Sequence, residues 1–149
     1  MLKISKFVIV LLLATLSISF ADIHWITDLD KGFKKAQKEK KLILIYVYSP
    51  KCHYCKEMER TTFKSKKVQE MIEKYFVPLK IRKCSEDGQF VKMEYGYFGT
   101  PTFHFLEPDG TKIKSIFGAW KEKEFLKILE YFAKGYYKKM NMTEYFMRD

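Results

Sequence analysis

Leu42-Ile43-Leu44-Ile45-Tyr46-Val47-Tyr48-Ser49-Pro50-Lys51-Cys52-His53-Tyr54-Cys55-Lys56 runs from an unbroken apolar segment through a short polar turn into a pair of cysteines three positions apart. A continuous run of Leu, Ile, Tyr and Val predicts a strand buried on both faces. The residues after Pro50 favour a helix, so the stretch reads as strand, turn and helix with a dithiol in the first helical turn. There the orphan backbone N–H groups and the positive end of the helix dipole stabilise a thiolate. Cys52, at the very N-terminus, gains most and is the expected nucleophile. Cys55, one turn further in and more buried, is expected to resolve the mixed disulfide. A C-x-x-C pair beside such a pattern points to redox chemistry.

Upstream, Lys3 and Lys6 precede an apolar run over Phe7–Leu13, and Ser19-Phe20-Ala21 places small residues at −3 and −1 of a cut. This is the layout of a secretory signal peptide over residues 1–21, cleaved before Asp22; the alternative is an uncleaved membrane anchor, for which the run is short. Loss of Lys3 and Lys6 removes no acid and lowers the net charge of +10 by two, to +8. In an exported protein that surplus is a solvated basic surface, attracted to anionic lipid or acidic partners rather than to nucleic acid. Export also puts the three cysteines in an oxidising compartment.

The rest of the chain is short and carries no second hydrophobic block, which predicts a single domain over 22–149. Thr27 is expected to cap a helix over Asp28–Lys40. Beyond the dithiol, Thr61-Thr62 interrupts the helix, Phe63 reads as a core plug, and Ser65 caps a helix over Lys66–Tyr75. Phe76–Ile81 reads as a strand that Pro78 assigns to an edge or a start. Ser85-Glu86-Asp87-Gly88 reads as a turn before a short helix over Gln89–Tyr95. Thr102–Leu106 and Lys112–Phe117 form a hairpin across Glu107-Pro108-Asp109-Gly110. An amphipathic helix spans Lys121–Tyr137, and the extension from about 138 to 149 packs as a short extra helix. The order predicts an α/β fold whose central sheet is mostly parallel, with an antiparallel hairpin at one end and helices on both faces.

Tyr95-Gly96-Tyr97-Phe98-Gly99-Thr100-Pro101-Thr102 immediately precedes the strand carrying His104. Tyr-Gly-x-x-Gly-x-Pro-Thr downstream of a strand, C-x-x-C and helix resembles the thioredoxin-fold superfamily, over Trp25 to about Tyr137; Gly118-Ala119 fits the same pattern. Cys52 through Phe63, with the following Val68, is similar to exported thioredoxin-like proteins of the SoxW and thioredoxin-related type. The resemblance implies a thioredoxin-like fold, a cis peptide before Pro101 facing the dithiol, and a Thr100 backbone that receives substrate as a strand edge. It also implies a periplasmic thiol–disulfide oxidoreductase that reduces disulfides of exported proteins and is recharged by a membrane thiol reductase. Oxidase or isomerase action would use the same atoms; an isomerase of the usual periplasmic kind carries a dimerisation domain, for which this chain has no room, and a monomer is expected.

Departures from the thioredoxin pattern matter. Its buried Asp, six positions before the first cysteine, is Tyr46 here. A phenol with a pKa of about 10 is a poor base at neutral pH, so proton handling falls to water or another residue. Its Trp before the first cysteine is Lys51, and its Gly-Pro pair is His53-Tyr54. Tyr54 and Thr100 resemble the periplasmic disulfide isomerases at those positions. A protonated His53 favours the Cys52 thiolate; the alternative is a solvated loop histidine. Lys51 and Lys56 add to the same field within screening. Cys84 reads as a buried or half-buried structural thiol, and His24 and His104 as satisfied structural histidines. Metal binding by Cys52, His53, Cys55 and Cys84 lacks the spacing of a zinc site, and a non-catalytic binding module would not need both cysteines and the Gly-x-Pro-Thr loop. No metal and no cofactor is assigned.

Overall fold

The computed structural model describes residues 22–97 and 99–148. The signal-peptide reading of residues 1–21 therefore lies outside the described residues. Helix α1 (Leu29–Glu39) leads into strand β1 (Leu42–Tyr48), helix α2 (His53–Arg60), a 3-10 turn over Thr62–Lys64 and helix α3 (Lys66–Tyr75). Strand β2 (Phe76–Arg82), helix α4 (Glu86–Tyr95), strands β3 (Thr102–Leu106) and β4 (Lys112–Phe117), and helices α5 (Glu122–Ala133) and α6 (Met142–Phe146) follow.

The four strands lie in the order β2-β1-β3-β4. Only β1 and β2 are parallel, with Leu42 opposite Phe76 and Tyr48 opposite Arg82. Strand β3 joins β1 antiparallel, and β4 joins β3 antiparallel. The sheet is thus mixed, as expected, but it is not mostly parallel. The chain crosses over once, through α2 and α3, and afterwards α4 delivers it to β3 from the other direction. Strand β2 is an edge, which accommodates Pro78. The Pro78 carbonyl accepts from the Ile26 N–H on the outer side, so the N–H that proline lacks would have pointed away from β1.

Alternation along β1 builds two cores. Leu44 and Tyr46 face α2, α3 and α5 together with Phe63, Ile72, Phe103, Phe105, Phe125 and Phe132. Ile43, Ile45 and Val47 face α1 and α4 with Leu29, Ala36, Leu79 and Val91. Every one of these β1 residues is fully buried, so a strand that reads as uniformly apolar is covered on both faces. Phe63, the expected plug, packs edge-on against Trp25, Tyr46 and Phe125.

Three boundaries and the burial of one cysteine differ from expectation for local reasons. Asp28, not Thr27, caps α1 by accepting from the Lys31 N–H. Ser85 caps α4, so Glu86, Asp87 and Gly88 are helical rather than a turn. Gly88 is there because the helix is pressed onto the end of β2: a Cβ would stand 2.2 Å from the Arg82 carbonyl oxygen. Helix α5 stops at Ala133, and Gly135 adopts a left-handed conformation (φ 73°) that turns the chain into a 3-10 segment over Tyr136–Lys138. Cys84 is exposed, not buried, because β2 ends at Arg82 and leaves it in the following turn.

His104 is fully buried on β3. Its Nδ1 lies 2.7 Å from Ser115 Oγ, while Nε2 has no partner among the described residues, so the ring is only half satisfied. Burial, and secondarily the charge of Lys112, lower its pKa from 6.5 to about 4. Between those values the unfolded chain binds a proton that the folded one does not, so stability falls as pH falls through this window. The loss reaches about 3 kcal/mol near pH 4. Urea titrations at pH 7 and pH 4.5 are expected to show a pH-dependent loss that is smaller in His104→Gln by about 2 kcal/mol. Equal losses in both proteins would remove His104 as the source.

Candidate active site

Cys52 occupies the N-cap position of α2, with φ −81° and ψ 111°. It is joined to Cys55 by a disulfide with a Cα–Cα distance of 5.3 Å. The Cys55 N–H donates to Cys52 Sγ at 3.1 Å, the bond by which an N-cap oxygen would ordinarily satisfy an orphan amide. No acid occupies the first turn of α2, so nothing offsets the positive end of its dipole beside the sulfur. Cys52 is half-buried and Cys55 only 1% exposed. The Cys52 sulfur is therefore the more accessible of the two, and Cys55 lies behind it.

The second wall of the site is the loop before β3. The Thr100–Pro101 peptide is cis. Cys52 Sγ lies 3.3 Å from the Thr100 carbonyl oxygen, and the Pro101 carbonyl accepts from the Gly118 N–H, tying the loop to the end of β4. Thr102 Oγ1 donates to the Gly99 carbonyl and closes the turn from inside. Thr100 is half-buried and Pro101 buried. Lys51, His53 and Tyr54 are all exposed on the other side of the dithiol. The rings of His53 and Tyr54 meet edge to face at 5.6 Å. The structure thus brings Cys52, Cys55, Thr100 and Pro101 together, and leaves Lys51, His53 and Tyr54 as a solvent-facing rim. Cys84 forms no disulfide.

Beneath the dithiol, Tyr46 is buried and stacked on Phe103 at 5.3 Å. Its hydroxyl donates to Glu59 Oε1 at 3.2 Å. The same oxygen receives Lys80 Nζ at 2.8 Å. Burial, reinforced by the neighbouring Glu59 charge, raises the Tyr46 pKa well above that of a free phenol. Tyr46 is therefore a neutral hydrogen-bond donor, and the carboxylate it engages belongs to Glu59. Neither Glu59 nor Lys80 stood out in the sequence, although both left a signal. Glu59 is one turn beyond Cys55 on the same helix, where i and i+4 side chains are neighbours. Lys80 lies directly opposite Tyr46 in the β1–β2 register. Phe117, 58% exposed, was also missed; it ends β4 opposite Thr102 and stands 3.0 Å from where a Cβ on Gly99 would be.

Comparison with known proteins agrees with this geometry. Anterior gradient protein 3 of Mus musculus is 25% identical over 108 residues, covering 68% of this chain and 60% of that protein. The chain thus spans about 60% of the length of the curated relatives it matches. The solution structure of a thioredoxin from Thermus thermophilus superposes with a TM-score of 0.66 and 28% identity, covering 73% of this chain and 85% of that one. The oxidised C-terminal domain of DsbD from Neisseria meningitidis gives a TM-score of 0.60 and 25% identity, covering 71% and 97%. Residues 29–133 match the thioredoxin-like domain family. Its C-x-x-C pair is closed as a disulfide within the matched residues. The chain belongs to the thioredoxin-like domain family.

Proposed function

We propose that the protein reduces disulfides of exported proteins in the periplasm, cycling Cys52 and Cys55 between dithiol and disulfide. The observation that carries this reading is the placement of Cys52 Sγ between the Cys55 N–H and the Thr100 carbonyl. In the reduced form the Cys52 thiolate attacks one sulfur of a substrate disulfide. A mixed disulfide forms with Cys52, and the first substrate thiolate leaves. Cys55 then loses its proton and attacks Cys52 Sγ; the second substrate thiolate leaves, and the Cys52–Cys55 disulfide remains. Substrate has gained two electrons and two protons, and a membrane dithiol reductase restores the enzyme by the reverse exchange.

The roles follow the placement. The Thr100 backbone, beside Pro101, offers the substrate segment a short strand edge. Exposed Tyr54 and Phe117 flank that edge with flat apolar surface. His53 and Lys51 bring positive charge to the rim, which favours the thiolate. Glu59, held by Lys80 and Tyr46, accepts the Cys55 proton, the task for which Tyr46 itself is unsuited. Export by cleavage after Ala21 and a monomeric state belong to the same proposal.

The direct test is turnover. The wild-type protein is expected to accelerate the reduction of insulin by dithiothreitol, followed as precipitation of the freed B chain. Failure to accelerate it, in protein whose Cys52–Cys55 disulfide is reducible, would contradict the reductase reading. Acceleration of disulfide formation in reduced, unfolded protein instead would turn the same site into an oxidase.

A further inference from the structure

Outside the dithiol site, a groove of about 710 Å³ lies between α3, α5 and α6. Lys67, Lys74, Lys123, Lys127 and Arg148 line it, against the acids Glu70 and Glu130. Lys134 reaches the same place: its Nζ lies 5.4 Å from the centre of the Tyr75 ring, whose other neighbour is Lys74 at 5.1 Å. The charges of Lys134 and Lys74 hold the Tyr75 pKa below that of a free phenol. Lys67, Lys74, Lys123, Lys134 and Arg148 are exposed and form no ion pair with a carboxylate among the described residues. Glu130 is engaged by the Tyr145 hydroxyl at 2.9 Å. Among the described residues, six cations therefore lie at the groove with two acids, one of which, Glu130, is hydrogen-bonded.

The floor of the groove is apolar. Met71 and Leu126 line it, and Met147, 79% exposed, stands next to Arg148. Long cationic side chains around an apolar strip, with a tyrosine at the rim, suit a lipid headgroup layer. The ammonium groups meet phosphates there, while the methionine and leucine side chains reach the acyl boundary. An acidic protein would match the charge but gives the exposed methionine nothing to enter. The described residues also begin beside α3. Asp22 is ion-paired with Lys64, and the His24 N–H donates to Glu73 on α3. No groove residue belongs to the loops carrying Cys52 or Pro101. The Tyr75 end lies beside Phe76 and Leu42, the start of β1, about 20 Å along that strand from the dithiol end.

We propose that the α3–α5–α6 face docks the protein on an anionic membrane surface, with the dithiol left free to meet substrate. This inference rests on charge and placement and is independent of the redox direction. It is tested by sedimenting the full-length protein with vesicles of phosphatidylcholine alone and with vesicles containing about one-third phosphatidylglycerol. Because the apolar run of residues 7–13 would bind both kinds, the preference for anionic vesicles is the reading. The expected preference is large and falls by roughly 100-fold in Lys67→Glu/Lys123→Glu/Arg148→Glu, with insulin turnover in solution unchanged. A variant with the same charge change on the opposite sheet face, Lys34→Glu/Lys38→Glu/Lys92→Glu, is expected to keep most of the preference. Equal loss in both variants would show a diffuse effect of net charge and overturn the proposal. So would the absence of any anionic preference, or competition by soluble polyglutamate at matched charge, which would assign the face to an acidic protein.

Discussion

Cys52→Ser is expected to abolish insulin reduction, a loss on the order of 10³-fold, because the sulfur that remains, Cys55, is only 1% exposed. Cys55→Ser is expected to abolish turnover as well, but by a different route. Its Cys52 still attacks, and with Cys55 gone the substrate stays attached. The two variants should therefore look alike in the precipitation assay and differ on a non-reducing gel, where only Cys55→Ser carries a substrate adduct. The asymmetry follows from burial. Cys52 is half-buried and receives the Cys55 N–H at 3.1 Å, while Cys55 is 1% exposed. An adduct on Cys55 in the Cys52→Ser protein would reverse the assignment of attacking and resolving sulfur.

Glu59→Gln is expected to slow turnover by about 100-fold at neutral pH, within the usual range for removing a proton acceptor. Glutamine keeps an oxygen for the Tyr46 hydroxyl and so preserves the local packing; what it lacks is the negative charge. Resolution then waits for Cys55 to lose its proton to water, and the rate should climb with pH, about tenfold per unit while the thiol stays protonated. The wild-type profile should be flatter. Attack by Cys52 should be untouched, so the adduct in Cys55→Ser should form at the same rate with or without Glu59→Gln. Tyr46→Phe, which removes only the 3.2 Å bond to Glu59, is expected to cost far less. A Glu59→Gln protein with the wild-type rate and profile would return proton handling to water.

The parts of the fold that were legible in the sequence are those where a local signal and the tertiary environment agree. Strand β1 runs from Leu42 to Tyr48, as its unbroken apolar run implied, because both faces are covered. Ser65 caps α3 because a serine ahead of an amphipathic segment has one good use for its hydroxyl. Sequence failed where the reason lay elsewhere in the chain. Gly88 reads as a turn residue and is in fact the point where α4 touches β2. The antiparallel entry of β3 depends on which way α4 returns the chain, and the order of elements alone does not state it. At the site, the cysteines and the Gly-x-Pro-Thr loop are local motifs and were visible. Glu59 and Lys80 become partners only once helix and strand are side by side, so the sequence shows Tyr46 as a departure from the thioredoxin pattern but not its bond to Glu59.

Redox direction is decided by one number, the reduction potential of the Cys52–Cys55 couple. Equilibrating the protein with glutathione and dithiothreitol buffers and counting free thiols at each ratio yields it. A value near that of thioredoxin, about −270 mV, is expected for a protein that donates electrons to substrate disulfides. A value near −120 mV, typical of a strong oxidant, would contradict the reductive direction, and failure of Cys52 and Cys55 to pair at any ratio would contradict the exchange chemistry itself.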